Sequence, residues 1–292
     1  RVRSSAASDV YKRQLYSMDP QTKATTTIGT FAGTGGTSTD KAVTDLAVNA
    51  NGDVFVNTES VVYRAALPSS LPGTVSLTRL AALQTSDRFY ALAFAPAGAL
   101  DPANETLIGG DGNGELWAID TASGATIDLG HFGNDPAKSG NVFALSGDLV
   151  FYEDASGNPT GLATIRSCPS GGSSSCGKDY LAGVDMAALK NAYTNKHAAT
   201  SLLAGIYGGS SAGAGGGTGY ADVFGLGAWQ GSVFGFTRHT SSSPPTLILI
   251  DPMSGAGTQL ATFTFPNNNG WSGAGVTTKV TVNVPQPPPV PQ

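Results

Sequence analysis

Near-copies of one phrase recur along this 292-residue chain. LWAIDTASGATIDLGHF stands at 116–132, LYSMDPQTKATTTIGTF at 15–31 and LILIDPMSGAGTQLATF at 247–263. Each has an apolar run, an Ile-Asp or Met-Asp pair, a turn of small polar residues and a short strand ending in Phe. Self-similarity constrains a fold more than any single motif, because each repeat must be a unit that buries its apolar face against its neighbours. A fourth copy, DYLAGVDMAALKNAY (179–193) continued by SLLAGIYGG (201–209), has a longer turn, and VVYRAALPSSLPGTVSLTRLAAL (61–83) is a weaker fifth. The anchor positions Asp19, Ala65, Asp120, Asp185 and Asp251 are spaced by 46, 55, 65 and 66 residues. An Asp at a strand end accepts hydrogen bonds from turn amides, so these carboxylates read as turn caps rather than catalytic acids.

A second element accompanies each phrase: TDLAVNANGDVFV (44–56), YALAFAPAG (90–98), NVFALSGDLVFY (141–152), DVFGLGAWQGSVFGF (222–236) and WSGAGVTTKVTV (271–282). Each opens on a short strand, and most turn at Gly-Asp, Gly or Gln-Gly into an aromatic-rich strand. Asn51-Gly52 predicts a two-residue hairpin. Ala47, Ala93, Ala144, Gly225 and Gly275 keep the first strands small at alternate places, as several strands converging on one axis require. A helix is expected only near 186–199, inserted between strands of one unit.

Each unit is thus two hairpins, about 54 residues long, and four-strand units of this period describe the blades of an all-β propeller. The chain opens on the second half of a unit and closes on the first half of one, so N- and C-terminal strands are expected to complete a blade and close the ring. The count predicts five four-stranded blades over 15–284, or six or more if upstream sequence is lost. VTDLAVNANGDVFV and LYSMDPQTKATTTIGTF resemble bacterial secreted propellers of the NHL- and YVTN-repeat kind, and also surface lipoproteins of myxobacterial type. That resemblance lies in scaffold residues; it implies a fold and an extracytoplasmic setting, not a reaction.

The opening RVRSSAASDVYKRQ lacks the apolar core of a signal peptide and resembles translated sequencing-adapter read-through, so residues 1–14 are expected to be non-native or disordered. Without them the balance is 12 Lys and Arg against 20 Asp and Glu, and an acidic domain without basic clusters argues against nucleic acid. Only 13% of residues are charged, which suits a non-cytosolic all-β protein. No stretch approaches the roughly 18 apolar residues of a transmembrane helix. Cys168 and Cys176, separated by Pro, Gly and Ser, are expected to pair as a disulfide and so favour an oxidising compartment. PQPPPVPQ (285–292) reads as an extended linker.

Candidate chemistry is sparse. GSSAG (209–213) matches a nucleophile pattern but is followed by a Gly-rich loop, where a serine elbow needs a helix. Asp111, Asn113 and Glu115 offer alternate oxygens to calcium, yet the same run suits a hairpin turn. His131, His197 and His239 lack metal-ligand spacing. The architecture itself suggests the better candidate. Thr44 or Asp45, Tyr90, Asn141, Asp222 and Ser272 stand at the starts of the innermost strands, and a closed ring would gather them round one mouth of the channel. No catalytic residue is assigned. The expectation is a non-enzymatic, exported module at the bacterial envelope that binds a protein, peptide or glycan through one face. The alternative is a glycan-directed hydrolase or lyase using Asp45 and Asp222, with calcium as a further option.

Overall fold

The computed structural model describes residues 4–8, 13–84, 88–170, 176–208, 217–238, 243–265 and 270–279. From the N-terminus, β1 (Ser4–Ser8), β2 (Gln14–Met18) and β3 (Thr25–Ala32) precede β4 (Asp45–Val48), β5 (Val54–Asn57), β6 (Val61–Ala66) and β7 (Gly73–Ala82). A second run holds β8 (Phe89–Ala95), β9 (Thr106–Asp111), β10 (Glu115–Ile119) and β11 (Thr126–His131). A third holds β12 (Asn141–Glu153), β13 (Pro159–Pro169), β14 (Tyr180–Val184) and β15 (Leu203–Ile206), with helix α1 (Met186–Asn195) inserted before β15. A fourth holds β16 (Val223–Trp229), β17 (Ser232–Thr237), β18 (Thr246–Ile250) and β19 (Gly257–Thr262), after which comes β20 (Trp271–Gly275).

These strands form four sheets in a β-propeller arrangement. Three are antiparallel meanders of four strands; the other has eight, in the order β20-β1-β2-β3-β7-β6-β5-β4. Two four-strand runs meet in that large sheet, because the outermost strands β3 and β7 pair in parallel from Gly29–Gly73 to Ala32–Ser76. A side chain at Gly29 would collide with the Gly73 backbone, so the seam closes only with glycine there. The innermost strands β4, β8, β12, β16 and β20 pack each against the next, and β20 returns to β4. Chain ends therefore meet inside one sheet, as the split repeat predicts. The sequence sets residues 1–14 apart from the domain; in the structure Ser4–Ser8 is β1, paired with both β20 and β2, and Gln14 begins β2.

The cores lie between successive sheets. Ile108, Leu116 and Phe132 of the second run pack with Phe143, Ile165 and the α1 residue Leu189. Met18, Phe234, Phe236 and Trp271 fill the space between the fourth run and the eight-stranded sheet. The buried Trp271 meets Phe236 edge-on at 5.3 Å, a geometry that adds about 1 kcal/mol beyond area burial.

The repeated Asp residues cap turns as their position predicts. The Oδ1 atoms of Asp19, Asp120 and Asp251 accept amides two residues on, and Asp185 caps α1 by accepting from Ala187 and Ala188. Two expectations are corrected. Asn51-Gly52 does not form a two-residue hairpin: Val48 pairs with Val54, leaving a five-residue loop that Asn49 Oδ1 closes by accepting from Asn51 and Asp53. NVFALSGDLVFY is not strand–turn–strand either. It lies within the single 13-residue strand β12, whose register against β13 shifts between Leu145 and Leu149, so Ser146-Gly147-Asp148 is a bulge. A side chain at Gly147 would collide with the β16 backbone at Phe224, which lets the bulge sit against the next strand.

Candidate functional site

Along the ring axis the innermost strands present two fully buried carboxylates, Asp45 of β4 and Asp148 of the β12 bulge. Asp45 Oδ2 accepts the Leu92 amide of β8 at 2.7 Å. Asp148 Oδ1 accepts from Leu149, and its Oδ2 accepts from Leu226 of β16 at 2.6 Å and Ala274 of β20 at 3.2 Å. Two carboxyl groups thus tie together strands of all the inner positions. Burial, followed by the neighbouring Asp148, pushes the Asp45 carboxyl well above the usual range. Burial pushes Asp148 up to about 8, against the pull of Asp45 and the amide donors. Asp45 Oδ1 has no donor, whereas Asp148 accepts three, so when the pair holds a single proton it belongs on Asp45. Amides converge here with their positive ends inward, a setting for negative charge or a shared proton rather than for a cation.

Above this pair opens a cavity of about 240 Å³, lined among others by Thr44, Tyr90, Ser146, Gly147, Arg166, Phe224, Arg238 and Ser272. Tyr90 and Ser272 line it as predicted. The one-residue ambiguity at the first strand resolves to Thr44, whose hydroxyl donates to Phe89 O and Asn57 O; Asp45 faces the axis below. Asn141 does not reach the cavity. β12 begins five residues before Ser146, so Asn141 bonds Ser167 Oγ at 2.8 Å near the strand's beginning and Ser146 takes its place at the mouth. Asp222 stands behind the lining, its carboxylate 3.4 Å from the Arg166 guanidinium and its carbonyl accepting the Arg238 amide. Its φ of 56° is left-handed, unusual for a residue other than glycine and a form of strain that clusters at functional sites.

Sequence reasoning missed the two arginines, because they sit on second strands and not at inner starts. Arg166 lies in β13 and Arg238 directly follows β17. Arg238 covers the Phe224 ring at 5.4 Å. Beneath them Asp179, buried, accepts from Ser146 Oγ and the Val223 amide, both at 2.6 Å, and burial pushes its carboxyl up to about 6.

Asp111 also lines this cavity, held there by its own turn, and the remaining candidates fall elsewhere. Asp111 Oδ1 accepts the amides of Asn113 and Glu115, so this carboxylate closes the β9–β10 turn. Among the described residues no group of three or more His, Cys, Asp and Glu is arranged to hold a metal. His131 and His197 are exposed. GSSAG, His239 and the 285–292 tail lie outside the described residues. Cys168 and Cys176 form a disulfide. No described helix is long and apolar enough to cross a membrane.

No protein-family model matches the chain, and no curated protein matches it. Among solved structures it is similar to a protein of unknown function from Bacteroides caccae, at 8% identity and a TM-score of 0.43 over 94% of this chain and 99% of that one. A Bacteroides thetaiotaomicron VPI-5482 protein of unknown function is 13% identical, with a TM-score of 0.43, over 94% of this chain and 59% of that one. BamB from Moraxella catarrhalis is 9% identical with a TM-score of 0.31, over 88% of this chain and 69% of that one.

Proposed function

We propose that this chain is an exported, non-enzymatic β-propeller of the bacterial envelope that binds its partner at the channel mouth. The ring counts as five blades when the eight-stranded sheet is taken as two. The observation that carries the reading is the cavity of about 240 Å³ at the inner strand starts, whose walls come from every part of the ring. A concave spot where polar and aromatic groups converge is the usual form of a ligand site. The disulfide favours an oxidising compartment, and hence export.

The carboxylates argue against the hydrolase or lyase alternative. Glycosidase pairs face each other across about 5–9 Å with substrate between them. Here Asp45 is buried and bonded to an amide, and Asp222 stands behind the cavity lining beside Arg166. Calcium does not enter this reading, since the Asp111 carboxylate is occupied by its own turn. Glycan and peptide arrays probed with the wild type and with Tyr90→Ala test it. Signals that the wild type gives and Tyr90→Ala loses support a mouth-binding module. Signals indifferent to Tyr90→Ala, or turnover of an arrayed glycan, overturn it.

A further inference from the structure

We infer that the mouth cavity is a carboxylate-recognising subsite, with Arg166 and Arg238 as its anchors and an acidic sugar ring as the group it admits. This rests on the reading of the mouth as the binding face and names what it binds. Two guanidiniums line one small cavity together with one acid, Asp111, whose carboxylate is held by the amides of its own turn; Asp222, behind the lining, meets Arg166 through a single contact of 3.4 Å, without the paired short bonds of an Arg–carboxylate fork. Arg166 Nε is buried and has no acceptor within the protein. That nitrogen is closed off, but the Arg166 side chain is 28% exposed, so the terminal nitrogens of the guanidinium can meet a ligand oxygen from the cavity. Arg238 forms no ion pair among the described residues; its guanidinium carbon lies over the Phe224 ring, 5.4 Å from the centroid, a cation–π contact that restrains it. The αL backbone of Asp222 serves both, since its carboxylate orients Arg166 and its carbonyl fixes the Arg238 amide.

The remaining lining selects among carboxylates. Tyr90 is 38% exposed, and it and Phe224 offer ring faces of negative potential that suit the polarised C–H face of a sugar. Thr44 and Ser146 donate their hydroxyl protons inward, to Phe89 O and to Asp179, so towards the cavity their oxygens are acceptors for sugar hydroxyls. The space of about 240 Å³ takes one ring and not an extended chain. A hexuronate therefore fits better than a neutral hexose, which leaves the guanidiniums open, or a peptide carboxylate, which leaves the hydroxyl acceptors open.

Calorimetric titration of the intact chain with galacturonate, galactose and N-acetylalanine tests this. Galacturonate is expected to bind, weakening as salt is raised. Arg238→Gln should lower its affinity by about tenfold or more, the usual loss for one charge-assisted bond. Arg166→Lys, which keeps charge but not the fork, should weaken it while leaving the melting temperature close to wild type. Binding of galactose as tight as galacturonate, with Arg238→Gln neutral, overturns the carboxylate assignment yet leaves a mouth site. N-acetylalanine binding tighter than galacturonate overturns the sugar assignment. No binding of any of the three overturns the inference, while Tyr90-dependent array signals for other ligands would still uphold the mouth as the binding face.

Discussion

Asp45 and Asp148 set the chemistry of the axis at the level of single atoms. An unfolded aspartate loses its proton near pH 4. The folded Asp148 carboxyl is pushed up to about 8. Burial raises both carboxyls of the pair, so between pH 4 and about 8 the folded chain holds protons that the unfolded chain has released, and stability falls as pH rises by about 1.4 kcal/mol per pH unit for each proton held. Thermal melts from pH 4 to 9 should show this decline. Asp45→Asn copies the protonated acid: its oxygen accepts the Leu92 amide and its NH₂ donates to Asp148. It should fold and show a shallower decline, whereas a slope unchanged from wild type would mean that the Asp45 proton is not involved. Asp148→Ala leaves the amides of Leu149, Leu226 and Ala274 without an acceptor. It should cost several kcal/mol, enough to threaten folding. Gly273 belongs to the same arrangement, since a Cβ there would run into Asp45 Oδ1.

Strands and turns show where sequence legibility ends. The β16–β17 hairpin was readable from Gln-Gly, and the structure places Gln230 at φ 45° and Gly231 at φ 80°, both left-handed as a two-residue turn requires. Gln230→Asn should therefore stabilise by about 0.5 kcal/mol and Gly231→Ala destabilise by about 1 kcal/mol, read as shifts in urea midpoint at constant slope. Asp148 was not readable in the same way, because Gly-Asp after an alternating run signals a turn and a bulge equally well. The distinguishing clue was distant: PTGLATIRSCP runs 11 residues without a break and needs an equally long partner. The same slip misplaced Asn141. Tyr90 and Ser272 were legible from the position of their strands, whereas Arg166 and Arg238 project from second strands whose alignment to the mouth depends on register, which local patterns do not carry.

Over the whole molecule, the ring is held by its axis and by the sheet in which the chain ends meet. β1 is the ladder between β20 and β2. Deleting residues 1–13 should lower the melting temperature by several degrees and raise the rate of proteolysis near β20; a melt identical to wild type would show that the ring closes without that strand. The parallel seam has another consequence, for association between molecules. By pairing with each other, β3 and β7 remove two outer edges that would otherwise offer free backbone groups, and Ala199 and Leu202 cover the rim of β11 through its Leu129 and His131 carbonyls. β19 keeps its outward side chains in solvent along Thr258–Leu260, and Leu260 is 38% exposed. With β15 the other outer strand left with a single partner, a second chain adding a strand would start at β19 or β15, so crowding or partial melting should build assemblies that grow from those two sheets rather than all round the ring.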